Sequence, residues 1–445
     1  MNKYQKTRKQ KIGICIRFVL FTVVVICLGV RGIAQVDRAG LAGTVKDSAN
    51  RNIPAVTVMA TQLATGQQFK TVTSARGIYD LPELPIGAYR VTYSAQGFQE
   101  KIVDAVEQTV GHTRTLDVVL SVVGAVEHVE VSDVGDQFDR TSDTLGSRIE
   151  QEQVKQLPLN GRNWSTLTAL VPGAVDSGGS NQRSIRFAGR GLDDNNFTYD
   201  GIDATNIVNQ AQQPFVRLAI PPEAIEEFRI DTMLFTAEDG STPGGQIAVV
   251  SRTGTNELHG GLFEYLRNDL FDAHSPLDPA GTRKPAFRLN QFGGSIGGPI
   301  QRDATFYFFT YEGLRQVLGQ TFTGLVPSDP FRAEVAVTSP ALVPILNAYP
   351  HGVVAAGSTS NIATFMGQGR QLDREDSAVL RLDHRFSPAD SVYLRFNFDA
   401  SYSDVPLVEG STYLNDRQLI TSRPVNGELE SLHIFSPRLV NELKF

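Results

Sequence analysis

Few residues in this chain have the types and spacing that catalysis requires. Gly293 to Gly297 matches G-x-S-x-G, the nucleophile elbow in which a serine between a strand and a helix attacks an acyl group. Such a serine needs a following helix and a paired histidine and acid, but Pro299 follows and strand-like sequence resumes. We therefore predict that this stretch is structural and that the chain is not an enzyme.

The metal-ligating residue types are equally sparse. The seven histidines include no H-E-x-x-H pattern and no pair four residues apart, and the two cysteines, Cys15 and Cys27, lie near the N-terminus. The acidic pairs Asp193-Asp194 and Asp200 to Asp203 could attract a cation. We interpret them instead as turn residues that accept hydrogen bonds from their own backbone, and we predict no metal and no cofactor.

The stretch from Asn195 to Glu257 has the strongest turn and strand signals. A short strand runs into an Asp-Gly turn at Asp200 and Gly201, and a strand-like Glu227 to Ile230 follows. A glycine-rich turn containing Gly244 and Gly245 then leads into a strand at Ile247 to Ser251. The strand before the turn is Phe197 to Tyr199, and upstream of it two short helices, Ile149 to Gln156 and Trp164 to Val171, and a further strand, Ser184 to Gly189, are predicted. These elements predict a small mixed α+β domain.

The N-terminus has the order of an export signal. A basic segment precedes an apolar run from Phe18 to Val30, and small residues at Gly32 and Ala34 suit a signal peptidase. An uncleaved anchor is the alternative, although Arg17 keeps the run shorter than the ~20 residues that a spanning helix needs. Removal of residues 1–34, including both cysteines, would change the formal charge from −7 to −14, so nucleic acid is excluded as a partner.

The remaining sequence is mainly β. Short strand-like runs between residues 39 and 120 alternate with Gly, Pro and Asn at roughly 8 to 12-residue spacing, which predicts a β-sandwich. Farther along, Ala378 to Phe386 and Val392 to Asp399 alternate apolar with charged or polar residues around a tight turn. Outer-membrane barrels and soluble sheets with one wet face both give this alternation. The weakly periodic segment from Pro327 to Gln371 is predicted to be a surface loop.

Several of these sequence segments, in this order, resemble the sequences of TonB-dependent outer-membrane receptors. The Asp-Gly turn, IEEFRI (225–230), the Gly-Gly-x-Ile strand and the RTGTNE exit (252–257) are similar to the plug domain. LPLNGRN (157–163) and RLNQFGGSIGGPI (288–300) are similar to the Oar-like branch. Residues at the N-terminal side resemble a carboxypeptidase-regulatory-like domain: Gly77, Tyr79, Gly87, Tyr89, Gly97 and Phe98.

The resemblance implies a mainly β protein in five parts. These are a signal peptide (1–34), a periplasmic β-sandwich (35–122), a TonB-box-like linker (123–138), a plug (139–258) and the first strands of an antiparallel outer-membrane barrel (259–445). The plug motif residues are Asp200, Gly201, Glu227, Gly244 and Gly245. In the linker, the TonB-box candidates are Glu127, His128, Val129, Glu130 and Val131; alternatively they form the last strand of the sandwich.

The implied function is energy-coupled uptake or export of a large or scarce substrate, with the TonB complex, outer-membrane lipid and an unknown ligand as partners. The alternative is a surface adhesion, structural or carbohydrate-binding protein in which the sandwich is the working part. Such receptors have ~22 strands, and the 187 residues from 259 onward are too few for them. We therefore expect the chain to be the N-terminal part of a longer receptor.

The linker hypothesis can be tested with proline. A Val129→Pro, Val131→Pro double variant should lose most crosslinking to TonB, because a strand that adds to a partner's sheet depends on its backbone donors. Formaldehyde crosslinking in cells measures the effect, with Val134→Pro as the matched control in the same linker but outside the candidate segment. Undiminished crosslinking of the double variant would place the TonB-pairing segment elsewhere.

Overall fold

The computed structural model describes most of the chain after residue 36. The described residues are 37–123, 144–157, 159–176, 185–191, 194–204, 220–235, 242–273, 284–354, 360–406, 417–436 and 439–445. The predicted export signal and the TonB-box candidates Glu127 to Val131 lie outside the described residues.

Residues 39–120 form two sheets of four strands that enclose one core, as a β-sandwich does. One sheet has the order β4-β1-β7, with β8 also pairing β1, and the other has the order β3-β2-β5-β6. The strands are β1 (Ala39–Asp47), β2 (Thr57–Gln62), β3 (Gln68–Val72), β4 (Ile78–Leu84), β5 (Gly87–Ser94), β6 (Lys101–Gln108), β7 (Thr113–Thr115) and β8 (Val118–Leu120).

The core of the sandwich is partly aromatic. Of the aromatic residues that carry the resemblance to a carboxypeptidase-regulatory-like domain, Tyr79 and Tyr89 are buried, and Phe98 is half-buried against the same cluster. Buried hydroxyls need partners, and that of Tyr79 lies 2.8 Å from the Tyr93 hydroxyl and donates to the carbonyl of Leu116 at 2.7 Å. The last two strands, β7 and β8, are short and both pair in parallel with β1.

The central domain contains a five-stranded sheet in the order β13-β12-β15-β14-β9 and a separate pair, β10-β11. Trp164 packs edge-on against Phe228 in its core, with ring centroids 5.1 Å apart. The strands are β9 (Leu145–Glu150), β10 (Ala174–Asp176), β11 (Ile185–Phe187), β12 (Asn196–Tyr199), β13 (Ile202–Asp203), β14 (Ile225–Met233) and β15 (Gln246–Ser251).

Two predicted helices of this domain need correction. The first, α1 (Gln151–Gln156), begins two residues later than expected, because Ile149 and Glu150 belong to β9 and pair with β14. The second is a 3-10 segment, Trp164–Leu170, rather than an α-helix. Among the described residues, no helix is long and apolar enough to cross a bilayer.

From His259 onward the chain forms one antiparallel sheet in the order β16-β17-β18-β19-β20-β22-β23, with β21 also pairing β20. The stretch 293–297, which matches G-x-S-x-G, lies inside β17 and has no helix after it. The strands are β16 (His259–Asn268), β17 (Phe287–Gln301), β18 (Thr305–Pro327), β19 (Ile362–Ser387), β20 (Asp390–Val405), β21 (Gln418–Ser422), β22 (Val425–Ser436) and β23 (Leu439–Lys444).

The two faces of this sheet are inverted relative to a soluble protein. On β20, Leu394 and Phe396 are 46% and 45% exposed, whereas Arg395 and Asn397 between them are 0% and 3% exposed. A soluble sheet buries its apolar face and leaves its charged face in water. Here the charged face lies against the central domain and the apolar face lies outside, which is the arrangement of a membrane barrel.

The two ends of the sheet differ in their connections. Residues 302–304 and 388–389 make tight turns at one end, whereas a long segment with two helices, α2 (Asp329–Thr338) and α3 (Val343–Leu346), joins β18 to β19 at the other. The predicted loop from Pro327 to Gln371 is therefore too long, since β19 already begins at Ile362. Arg332 holds this connection together through the carbonyls of Pro327, Leu346, Tyr349 and Pro350.

The inverted faces generate a prediction about assembly. Leu380→Arg puts a cation on the exposed apolar face of β19 and should destabilise the membrane-inserted state by about 2–4 kcal/mol. Leu342→Arg, in the helical connection between β18 and β19, is the matched control and should be neutral. Protein in the outer-membrane fraction, measured by immunoblot, should fall for the first variant alone; equal amounts would contradict the assignment of the lipid face.

Candidate functional site

Asp200 lies at the point where the central domain meets the wall of the barrel sheet. Asp200 and Gly201 form a two-residue turn between β12 and β13, with φ of 50° and 80°, which confirms the predicted Asp-Gly turn. The turn interpretation of Asp200 predicts that the carboxylate accepts a hydrogen bond from its own turn, but the structure shows a different donor. Its Oδ1 accepts from the backbone N–H of Ser251 at 2.7 Å, at the end of β15.

Two wall arginines face this carboxylate. Arg395 Nε on β20 lies 2.9 Å from Asp200 Oδ2, and Arg381 Nη1 on β19 lies 3.7 Å from Asp200 Oδ1. Both arginines occupy the inward positions that the strand alternation predicts. All three side chains are buried, so the ion pairs are shielded from water.

Each wall arginine also has a second acidic partner and an aromatic one. Arg395 pairs with Glu428 on β22, and its guanidinium lies 3.4 Å from the centroid of the Tyr199 ring. Arg381 pairs with Asp383 at 3.0 Å and donates to the Ser251 hydroxyl at 2.6 Å. Shared partners of this kind offset the cost of removing charges from water.

The pKa of Asp200 follows from these contacts. Burial disfavours the carboxylate, but the positive charges of Arg395 and Arg381 and the Ser251 hydrogen bond outweigh burial and place the pKa below its ordinary value. Asp200 therefore stays ionised at neutral pH.

A cationic cluster continues this network toward the sandwich. Lys444 on β23 donates to the Asp200 carbonyl at 2.9 Å and pairs with Asp37 at 2.5 Å. Asp37, Glu430 and Glu442 form a group of three carboxylates close enough to hold a metal ion. Lys444 and Arg38 pair with these carboxylates, so two side-chain cations already compensate two of the three negative charges.

Arg162 makes a second contact between the central domain and the wall. It follows Gly161 in the NGR turn, where both residues have positive φ, and its Nε donates to Glu312 on β18 at 3.0 Å. Its guanidinium lies 3.9 Å from the centroid of the Phe263 ring on β16. Here the cation is on the central domain and the anion is on the wall, the reverse of the Asp200 contact.

Glu227 lies elsewhere, at the contact with the sandwich. Its Oε1 accepts from the Val110 N–H at 2.5 Å and its Oε2 pairs with Arg148 on β9 at 3.3 Å, while Arg229 donates to the carbonyls of Val110 and Gly111. Burial raises the pKa of Glu227, partly offset by the Val110 N–H and Arg148.

The two predicted glycines are structural. A Cβ at Gly244 would collide with the Asp194 carbonyl, and a Cβ at Gly245 would collide with the Phe187 ring. The five predicted plug residues therefore form three separate contacts rather than one pocket. The arginines and Lys444 were not among the predicted site residues, although inward alternation on β19 and β20 indicates the two wall arginines.

A sheet with an outward apolar face, whose inner face contacts a small mixed domain through buried charges, defines the class: an outer-membrane β-barrel protein. Residues 250–445 match the family described as outer membrane beta barrel domain, and residues 40–121 match the carboxypeptidase regulatory-like domain. The chain is a homologue of the TonB-dependent transporter Oar of Myxococcus xanthus, with 26% identity over 284 residues. This confirms the resemblance to Oar and the outer-membrane location.

The alignment with Oar covers 60% of this chain and 26% of Oar. Among solved structures, the outer membrane transporter YddB from Escherichia coli is 14% identical with a TM-score of 0.46, over 66% of this chain and 37% of YddB. The siderophore receptor PirA from Acinetobacter baumannii is 15% identical with a TM-score of 0.35, over 69% of this chain and 48% of PirA. The relatives named here are transporters and receptors.

The Asp200 contact generates a prediction about stability. Asp200→Asn removes a shared negative charge from two buried guanidinium groups and should lower the free energy of unfolding by about 3 kcal/mol. Asp104→Asn, in an exposed pair with Arg90, is the control and should change it by less than about 1 kcal/mol. Urea unfolding of the detergent-solubilised chain measures both, and equal stability of the two variants would contradict a structural role for the pair.

The lowered pKa of Asp200 also predicts a pH dependence. A group whose pKa is lower in the folded state contributes stability above its unfolded pKa of about 4, and this contribution is lost as the pH falls through the folded value. The stability difference between the wild-type chain and Asp200→Asn should therefore shrink on acidification from about pH 6 to below about pH 3. A difference that is constant over this range would show that the carboxylate charge is unimportant.

Proposed function

We propose that the chain works in energy-coupled transport across the outer membrane, with the central domain as the plug and gate. The observation that carries this proposal is the buried contact of Asp200 with Arg381 and Arg395, which fixes the central domain to the barrel wall. Homology to the TonB-dependent transporter Oar supports the same function, with TonB as the periplasmic partner. The cargo is a substrate too large or too scarce for passive pores, and the chain acts on it without catalysis.

The position of the sandwich favours transport over adhesion. The sandwich contacts the barrel at the tight-turn end, where Asn256 donates its backbone N–H to the Ala64 carbonyl at 2.9 Å and the 302–304 turn lies alongside. In outer-membrane barrels the short turns face the periplasm and the longer loops face the outside. A periplasmic sandwich cannot bind targets at the cell surface, but it is placed to act on the plug.

A cavity of about 230 Å³ supports a movable plug. It lies between the sandwich, the plug and the wall, and Asp200, Arg381 and Glu430 line it. Water in such a space can hydrate the charges of the ion pairs as they separate, which lowers the barrier for plug movement.

A single cysteine can test the gate. Ser251→Cys places a thiol beside Arg381, at a buried position of the plug, and the predicted mature chain has no other cysteine. In cells with an energised TonB complex, labelling by a periplasmic maleimide should increase several-fold relative to cells that lack TonB, because the plug leaves the wall. Asn50→Cys, exposed on the sandwich, is the control and should be labelled equally in both strains. TonB-independent labelling of the Ser251→Cys chain would exclude the proposed gating.

A further inference from the structure

The outer face of the barrel sheet becomes basic above the exposed apolar band, on the side of the band that is nearer to the long connection between β18 and β19. Arg315 on β18 and Arg374 on β19 are direct cross-strand partners on this face. Arg288 on β17 and Arg370 on β19 lie nearby on the same face and are exposed. We call these four residues the arginine belt: Arg288, Arg315, Arg370 and Arg374.

The register places two like charges opposite each other. Side chains of directly opposed residues in an antiparallel pair begin roughly 5 Å apart, and like charges there are destabilising. Asp376 compensates one of them, since its Oδ1 lies 2.7 Å from Arg315 Nη2. A second carboxylate on this face, Asp404, lies opposite Leu372 but is already paired with Arg417, so the cations on this face still outnumber the anions, which favours a further anionic partner.

Arg315 is held in place before any such partner arrives. Its Nη1 donates to the carbonyls of Leu314 and Glu375 at 2.9 and 2.8 Å, and its guanidinium lies 5.7 Å from the centroid of the Phe292 ring. The Tyr311 hydroxyl donates to Asp376 at 2.6 Å and orients that carboxylate in turn. A fixed guanidinium binds a phosphate with a smaller entropic cost than a mobile one.

The height of the belt matches a lipid headgroup. The outward positions of β19 are apolar or aromatic from Phe386, beside a tight turn, up to Ala378, and Asp376 and Arg374 follow. Ten residues from Phe386 to Asp376 span about 33 Å along the strand, or roughly 25 Å along the membrane normal at a tilt of about 40°. This equals the usual height of the apolar band, so the belt begins where hydrocarbon ends on the outer side.

We propose that the arginine belt binds the phosphate groups of an outer-leaflet glycolipid. Guanidinium groups form paired, charge-assisted hydrogen bonds with phosphate oxygens, and the exposed apolar band directly below accommodates the acyl chains. A soluble phosphate shares the headgroup chemistry but gains nothing from the apolar band, so the two sources can be separated experimentally.

The test measures binding of fluorescent diphosphorylated lipid A to the detergent-solubilised chain in mixed micelles. The wild-type chain should bind, and an Arg315→Gln, Arg374→Gln double variant should bind roughly tenfold to a hundredfold more weakly. Arg315→Lys, Arg374→Lys keeps the charges but not the paired hydrogen bonds, so its binding should lie between those of the wild-type chain and the double glutamine variant. Arg90→Gln is the matched control, because Arg90 is exposed on the sandwich in an ion pair with Asp104. Dephosphorylated lipid A should bind weakly to every variant.

Two results would overturn the proposal. One is equal binding of lipid A by the wild-type chain and the double glutamine variant. The other is competition by inorganic phosphate at the same concentrations as lipid A, which would assign the site to a soluble anion. Circular dichroism checks the fold of each variant. If the double glutamine variant does not fold, Arg288→Gln, Arg370→Gln replaces it, since both side chains are exposed and should also weaken lipid A binding.

Discussion

A strand that crosses a bilayer must turn apolar side chains to the hydrocarbon, and the rest of this structure depends on that constraint. Successive side chains on a strand point to opposite faces, so the polar residues that alternate with Leu380, Leu394 and Phe396 are directed into the lumen. The lumen side then carries buried charges, among them Arg381 and Arg395. Buried charges need partners, and the central domain supplies them through Asp200. The same alternation that places the sheet in the membrane thus creates the binding surface for the central domain.

Holding a plug by ion pairs suits a gate better than holding it by an apolar interface. Forming a buried ion pair costs desolvation energy, and the charges regain much of this energy as hydration when they separate into water. The net contribution of the pair to the stability of the interface is therefore smaller than its direct Coulomb attraction. After separation each arginine still has one acidic partner, since Arg395 keeps Glu428 and Arg381 keeps Asp383. The opposite polarity of the Arg162–Glu312 contact fixes the orientation of the plug, because a rotated plug would bring like charges together.

The sequence predicts local features well where one short segment determines them. The Asp200-Gly201 turn, the strand β15 and the alternation on β19 and β20 all depend on neighbours in the chain, and the structure confirms them. The contacts of the site depend on residues far apart: Asp200 meets Arg395, and Lys444 meets Asp37. No local pattern encodes these pairs. Strand β9 was missed for a related reason, because its six residues alternate weakly and are stabilised by pairing with β14 rather than by their own propensity.

The contacts of Glu227 link the sandwich, the plug and the segment between them. The sandwich binds β14 through the Val110 turn, and β9 pairs with the same strand, with Glu150 opposite Glu227. The segment 124–143, which contains the TonB-box candidates, therefore connects the sandwich, which is held on β14 through Val110, to β9, which pairs with β14 directly. The proposed function requires that TonB pulls on this segment. The force then acts on two contacts: the Val110 turn of the sandwich, which a few hydrogen bonds hold on β14, and the six-residue strand β9, which pairs with β14 at the edge of the five-stranded sheet. The Val110 turn has fewer hydrogen bonds to break than β9, so the sandwich should separate from β14 before β9 does. Glu227 then loses the hydrogen bond from the Val110 N–H and, among the described residues, keeps only Arg148 as a partner. Release of the sandwich would in this way weaken the strand that has to move next.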